Sequence, residues 1–144
     1  MDLQKLYTNL KRLDVEKLAV EILEELDSFI SNLNRKQLSD LGVGEDGSLL
    51  SPEYANITKD IKSRKSGVGG IIEHITLYDT GKLHKSIFSS ITIDSIILDS
   101  KDSKVDELTD KYGEFLGLTD DSIKLLQKEF NKLFWPRLKK TIWS

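Results

Sequence analysis

A chain of 144 residues, 38% apolar and 31% charged, is one domain's worth of polypeptide, long enough to bury about two-thirds of the surface its unfolded form exposes. A formal net charge of −3 leaves no whole-chain nucleic-acid footprint, and the lack of cysteine excludes disulfides, thiolate metal ligands and a cysteine nucleophile, which suits a reducing cytosol. The N-terminal residues contain no apolar h-region and no segment approaches ~20 consecutive apolar residues, so neither a standard secretion signal nor a membrane span is expected.

The clearest helix is predicted over residues 15–33. Val15, Leu18, Ala19, Ile22, Leu26, Phe29, Ile30 and Leu33 form one stripe at spacings of three and four. Asp14 stands where an N-cap belongs, and Glu16, Glu21, Glu24, Glu25 and Asp27 form a solvated face. Leu3, Leu6, Leu10 and Leu13 continue the spacing upstream, which predicts a shorter leading helix, and residues 35–41 extend or restart the long one before Gly42. The run from Gly42 to Ser48 is a loop by composition, without the Gly-Lys-Ser/Thr end of a phosphate-binding loop.

Pro52 is placed to open a short helix through Tyr54, Ile57 and Ile61. That helix runs into a basic, then Gly-rich stretch, so residues 62–70 are expected to be mobile, as are residues 42–51. Lys59, Lys62, Arg64 and Lys65 form a basic loop there.

Residues 71–78 are predicted to be a strand. After the turn at Asp79-Thr80-Gly81, residues 82–86 read as one helical turn or an extended edge. Residues 88–93 and 95–99 then read as a hairpin turning at Asp94-Ser95, because Ile87, Ser89, Ile91 and Ile93 alternate and Ile96-Ile97-Leu98 is apolar and β-branched. Ser103 with Asp106 marks a helix start, with Val105, Leu108 and Tyr112 inward and Gly113 closing it. Thr119, followed by Asp120 and Asp121, caps a last helix carrying Ile123, Leu126, Phe130, Leu133 and Phe134 on one stripe. Pro136 should kink or end it, leaving an aromatic and lysine-rich tail over residues 135–143. The fold class is therefore α+β: a long N-terminal amphipathic helix and a C-terminal helix packed on a small antiparallel sheet, in one domain spanning residues 1–144.

Chemistry-bearing patterns are sparse. Asp79-Thr80-Gly81 matches the triplet of an aspartic-type protease, whose dimer would bring two carboxylates together to share a proton. Such enzymes are almost wholly β, and the triplet is followed here by Lys82, Leu83 and His84 rather than small apolar residues, so turn chemistry is the simpler reading. His74 and His84 lack a zinc-site spacing, and Lys101 interrupts the carboxylates at Asp99, Asp102, Asp106 and Glu107 where a calcium ligand would stand. No catalytic residue, cofactor or metal site is assigned.

The order of motifs carries more than any one of them. Gln37-Leu38 precedes a Gly-rich loop with Asp46-Gly47. Tyr54, Thr58 and Lys62 stand before Gly67, then Thr76-Leu77-Tyr78-Asp79-Thr80-Gly81-Lys82-Leu83-His84-Lys85-Ser86-Ile87, a hairpin, and Tyr112-Gly113-Glu114-Phe115-Leu116-Gly117-Leu118-Thr119. Over residues 36–142 this resembles the phage virion morphogenesis or tail-completion (head–tail joining) proteins, especially those of phages and prophages of Bacteroides-like bacteria, in which the Thr-Gly-x-Leu-x-x-Ser step and the Phe-Leu-Gly-Leu-Ser/Thr-Asp lead-in to the last helix recur. Many relatives also carry a His-x-x-Gly segment and an Ile-Pro-Ala-Arg stretch, where this chain has only Tyr112-Gly113-Glu114.

The resemblance implies a non-enzymatic virion subunit that forms a homo-oligomeric ring at the neck. Its partners would be portal-side, neck or tail proteins, with DNA passing through the ring and no membrane contact, and it would stay in the host cytoplasm until assembly. On this reading Thr80, Gly81, Leu83 and Ser86 fix the sheet, Phe115, Gly117 and Leu118 seat the last helix, and Trp135 and Trp143 are contact anchors. Two other classes compete with it: a dimeric protease using Asp79, and a small cellular adaptor or antitoxin-like module binding through its first helix.

Overall fold

The structure, a computed structural model, describes residues 2–143. It is an α+β fold in which seven α-helices surround one two-stranded antiparallel sheet. Three helices lead: α1 (Leu3–Arg12), α2 (Val15–Glu25) and α3 (Asp27–Lys36). Asp2 and Asp14 cap α1 and α2 by accepting the backbone N–H groups of Gln4 and Lys17. The single helix expected over residues 15–33 is thus two, meeting at Leu26 (φ −88°, ψ 10°). At this joint Asp27 turns its carboxylate onto the sheet, where it accepts both the N–H and the hydroxyl of Ser89. A π-helical turn (Gln37–Leu41) prolongs α3, and Gly42 ends it in the left-handed conformation, with its N–H donating to the Gln37 carbonyl at 2.8 Å.

The next elements are α4 (Asn56–Ser63), α5 (Lys82–Ser86), β1 (Ile87–Ile91), β2 (Ile96–Ser100), α6 (Val105–Tyr112) and α7 (Asp120–Trp143). The hairpin forms where the alternation places it, with Ile87 opposite Ser100 and Ile91 opposite Ile96. Its turn spans four residues rather than the Asp94-Ser95 pair: the Thr92 N–H donates to the Ser95 carbonyl at 2.9 Å.

Four local expectations are corrected. Pro52 follows a cis peptide bond and stands outside any helix, so α4 begins only at Asn56 and Tyr54 is buried in the core instead. Ser103 does not cap α6; that helix starts at Val105 after a turn in which Asp102 accepts the Lys104 N–H. Residues 71–78 form no strand. Their backbone groups are held by side chains, and Leu77 breaks the extended run with φ +55°. Finally, α7 runs past Pro136 to Trp143. It is tied down on both sides of the proline, by buried Phe134 before it and afterwards by the Arg137–Glu25 ion pair and the Asn9 amide on the Ile142 carbonyl.

Two apolar clusters make the core. One joins Leu38, Tyr54, Ile75, Leu77, Leu83, Ile87, Tyr112 and Phe115; the other joins Ile30, Leu33 and Leu126, with Leu118 against it. Leu98 of β2 touches both.

Between them runs a polar clamp. The Asn34 amide donates to the Phe115 carbonyl and accepts the Gly117 N–H, each at 2.9 Å. One turn on, the Gln37 amide donates to the Gly117 carbonyl at 2.8 Å and accepts the Thr119 N–H at 2.9 Å. Both amides are buried, and their spacing of three puts them on one helix face. Gly117 sits at φ +145°, and a Cβ there would lie 2.8 Å from Glu45. Thr119 then caps α7 by accepting the Ser122 N–H, as its position predicts.

Replacing Asn34 by Ala strips partners from one buried carbonyl and one buried N–H. The expected loss is about 2–4 kcal/mol of unfolding free energy, measured by urea denaturation. Asn34→Asp keeps the acceptor but sets a buried carboxylate oxygen against the Phe115 carbonyl, and should lose at least as much.

Candidate functional site

The segment from Thr76 to Gly81 is held by side chains on both sides. The Tyr54 hydroxyl accepts the N–H groups of Thr76 and Leu77 at 3.0 and 3.1 Å, which fixes the turn into positive φ at Leu77. From the other side, His84 Nε2 lies 2.7 Å from the Thr76 carbonyl, so that nitrogen carries the proton and donates. Lys62 Nζ donates to the carbonyls of Tyr78 at 2.6 Å and Gly69 at 3.2 Å, and lies 4.9 Å from the centre of the Tyr54 ring. Gly81 (φ +86°) closes the turn; a Cβ there would meet the Tyr78 hydroxyl at 2.6 Å. A bulky residue at positive φ costs of order 1–3 kcal/mol and persists only where its surroundings over-determine it. Tyr54, His84 and Lys62 do that here.

Electrostatics follow from this burial. Desolvation lowers the pKa of His84, opposed by its bond to the Thr76 carbonyl and assisted by Arg35 and Lys62. Desolvation also lowers that of Lys62, with nearby Lys65 adding to it and Asp79 opposing it. Asp79 forms an ion pair with Lys65, and this hydrogen bond holds its carboxyl below the usual range.

Next to this segment lies an open cleft of about 410 Å³ between α4, the 77–83 turn and the start of α6. Leu77, Leu83, Leu108 and the rings of Tyr54 and Tyr112 line it, and four lysines (62, 65, 82 and 104) face two aspartates (79 and 102) around it. The cleft thus combines an apolar floor with a net positive rim, an arrangement that seats an anionic group carried on an apolar body.

The residues singled out in the sequence distribute around this centre. Thr80, Gly81 and Leu83 line the cleft. Ser86, at the end of α5, donates to the Leu83 carbonyl at 2.6 Å and meets the Ser100 hydroxyl, so it pins α5 to β2. Phe115 is fully buried, Gly117 is held by the amide clamp, and Leu118 packs on the second cluster. Trp135 and Trp143 are exposed on α7, Trp135 with its ring edge-on to Phe134. The basic loop does not act as one surface: Lys62 is internal, Lys65 pairs with Asp79, Lys59 with Glu53, and Arg64 with Asp60. Asp79 stands on an exposed turn. Among the described residues no group of three or more His, Asp or Glu side chains could hold a metal ion, and no helix is long and apolar enough to cross a membrane.

Sequence reasoning missed Asn34, Asp27, Arg35 and the role of the Tyr54 hydroxyl. The available signal was polar residues interrupting an apolar stripe: Asn34 and Gln37 fall among Ile30, Leu33 and Leu38.

Tyr54→Phe leaves two buried N–H groups without an acceptor and should cost about 2–4 kcal/mol in chemical denaturation. Because the folded pKa of His84 is depressed, the unfolded chain takes up its proton first as the pH falls below about 6.5. Its contribution is therefore intact above that pH and is lost as pH falls towards the folded value. Urea midpoints of the wild type should drop between about pH 7.5 and 5.5, and more steeply than those of His84→Gln.

No family model matches the chain, and no curated protein or solved structure is significantly similar to it.

Proposed function

We propose that the chain is a structural phage virion protein of the head–tail connector or tail-completion type. It acts by forming a homo-oligomeric ring at the neck and by contacting portal-side or tail proteins. Before assembly it resides in the host cytoplasm.

The observation that carries this reading is the inequality of the two sheet edges. On the outer edge of β1, Ile87 donates its N–H to the His84 carbonyl and accepts Arg35 Nη2 at 2.9 Å, while the Ser89 N–H goes to Asp27 at 2.8 Å. That edge is closed by α3 and α5. Among the described residues no helix packs on β2 as α2 and α3 do on β1, and Ile93, Ile96 and Ile97 of the hairpin are exposed, Ile97 at 51%. A short two-stranded sheet is marginal alone, and an unpaired edge is a template for another chain. With β1 closed, a neighbour can reach only the β2 edge, and on the proposed reading it does so with a segment other than its own β2. Such a contact is head-to-tail: each copy keeps one acceptor and one donor, and the series becomes a ring when the rotation between copies closes. The Thr-Gly-x-Leu-x-x-Ser step and the Phe-Leu-Gly-Leu-Thr-Asp lead-in support the same class.

Purified protein should therefore appear as closed rings in negative-stain images, and as a ring at the neck of intact particles. Ile97→Asp, at an exposed position, should leave the circular dichroism and melting curve close to wild type while reducing the assembled mass. A wild-type chain that stays monomeric at high concentration and is absent from virions would reject the proposal. Peptide cleavage lost in Asp79→Asn with folding intact would favour the protease class instead.

A further inference from the structure

The donor that fits the acceptor face is present in the same chain. We propose that the loop from Gly44 to Leu50 of one copy seats in the lysine-rimmed cleft of the next, with Leu49 as the apolar anchor and Glu45 and Asp46 as the acids that meet the lysines. This rests on the ring reading above and names its interface.

Four observations carry it. The loop projects a large apolar side chain that its own fold leaves bare: Leu49 is 69% exposed, whereas its neighbour Leu50 is buried. Leu49 is nevertheless held in place, because Val43 and Leu49 form an antiparallel bridge, Gly44 donates to the Ser48 carbonyl at 3.0 Å, and Asp46 accepts the Ser48 N–H at 2.9 Å. A pre-ordered loop loses little conformational freedom on docking.

The charges are complementary. Glu45 and Asp46 are both exposed, and among the described residues neither has an ion-pair partner. On the receiving side, Lys82 and Lys104 are likewise exposed and outside any such pair, while buried Lys62 donates to carbonyl oxygens. The cleft opens to solvent over Ile61 and Leu108, with buried Leu77 and Leu83 beneath, so it offers an apolar seat for a leucine. Finally, the cleft lies just past the end of β2: Asp102, Ser103 and Lys104 on its rim stand two to four residues after Ser100.

Static light scattering on size-exclusion fractions tests the interface, with Leu49→Asp, Glu45→Lys, Lys104→Glu and the double variant Glu45→Lys/Lys104→Glu. All the altered side chains are exposed, and thermal melts check that each variant folds. Expected are a wild type larger than a dimer and a Leu49→Asp chain that remains monomeric. Each single charge reversal should raise the half-assembly concentration about tenfold, with recovery in the charge-swapped double variant. Folded variants that assemble as the wild type does would overturn this interface and leave the ring intact. A wild type that stops at two copies would overturn the head-to-tail docking, and one that never assembles would sink the ring reading and this inference together.

Discussion

Four hydrogen bonds from two neighbouring side chains organise most of this molecule. Asn34 and Gln37 treat the backbone from Phe115 to Thr119 as a strand, each amide giving a proton to one carbonyl and taking one from an N–H. Inside a water-excluded core a half-satisfied amide would cost more than it returns, so the arrangement is close to all-or-none. It fixes where Phe115 enters the first cluster, where Leu118 enters the second and where α7 begins. Chain order explains the need for it. Residues 115–119 come some eighty positions after α3, and without a directional contact the apolar side chains alone would tolerate several registers.

The turn around Leu77 is held by the same logic with different chemistry. Here a phenol, an imidazole and an ammonium group replace a missing neighbouring strand, each aimed at a main-chain atom. Placing an ammonium group inside is costly, and the lowered pKa of Lys62 records that cost. What the molecule gains is a rigid wall for the cleft and a field that favours an incoming acid. Stability and the proposed docking therefore draw on the same residues. Variants of Lys62 or Tyr54 would confound the two, whereas exposed Lys82 and Lys104 would test the docking without disturbing the core.

How much of this was legible depends on how local each determinant is. The hairpin, the caps at Asp14 and Thr119 and the close of α6 at Gly113 are set within a few residues, and the pattern finds them. The break at Leu26 is not, because the contact that goes with it joins Asp27 to Ser89, sixty-two residues further along. Residues 71–78 carry a strand's composition, yet Tyr54, Lys62 and His84 reach their polar groups before any strand does, and no periodicity encodes that. Pro136 is the reverse case: a strong local stop outweighed by contacts on either side, from Phe134 to Arg137 and Asn9. The cleft shows the same split, for Thr80, Gly81 and Leu83 were visible as a turn, while the walls facing them come from α4, α6 and the segments beside those helices.

The side chains that seal β1 also limit what the protein can become when it meets many copies of itself. Cross-β stacking demands that every ribbon be open on two flanks, one to receive and one to offer. With Asp27 and Arg35 permanently lodged on one flank, this ribbon has a valence of one. A crowded population can saturate that single valence, but it cannot lengthen into an amyloid thread without first tearing α3 from the sheet.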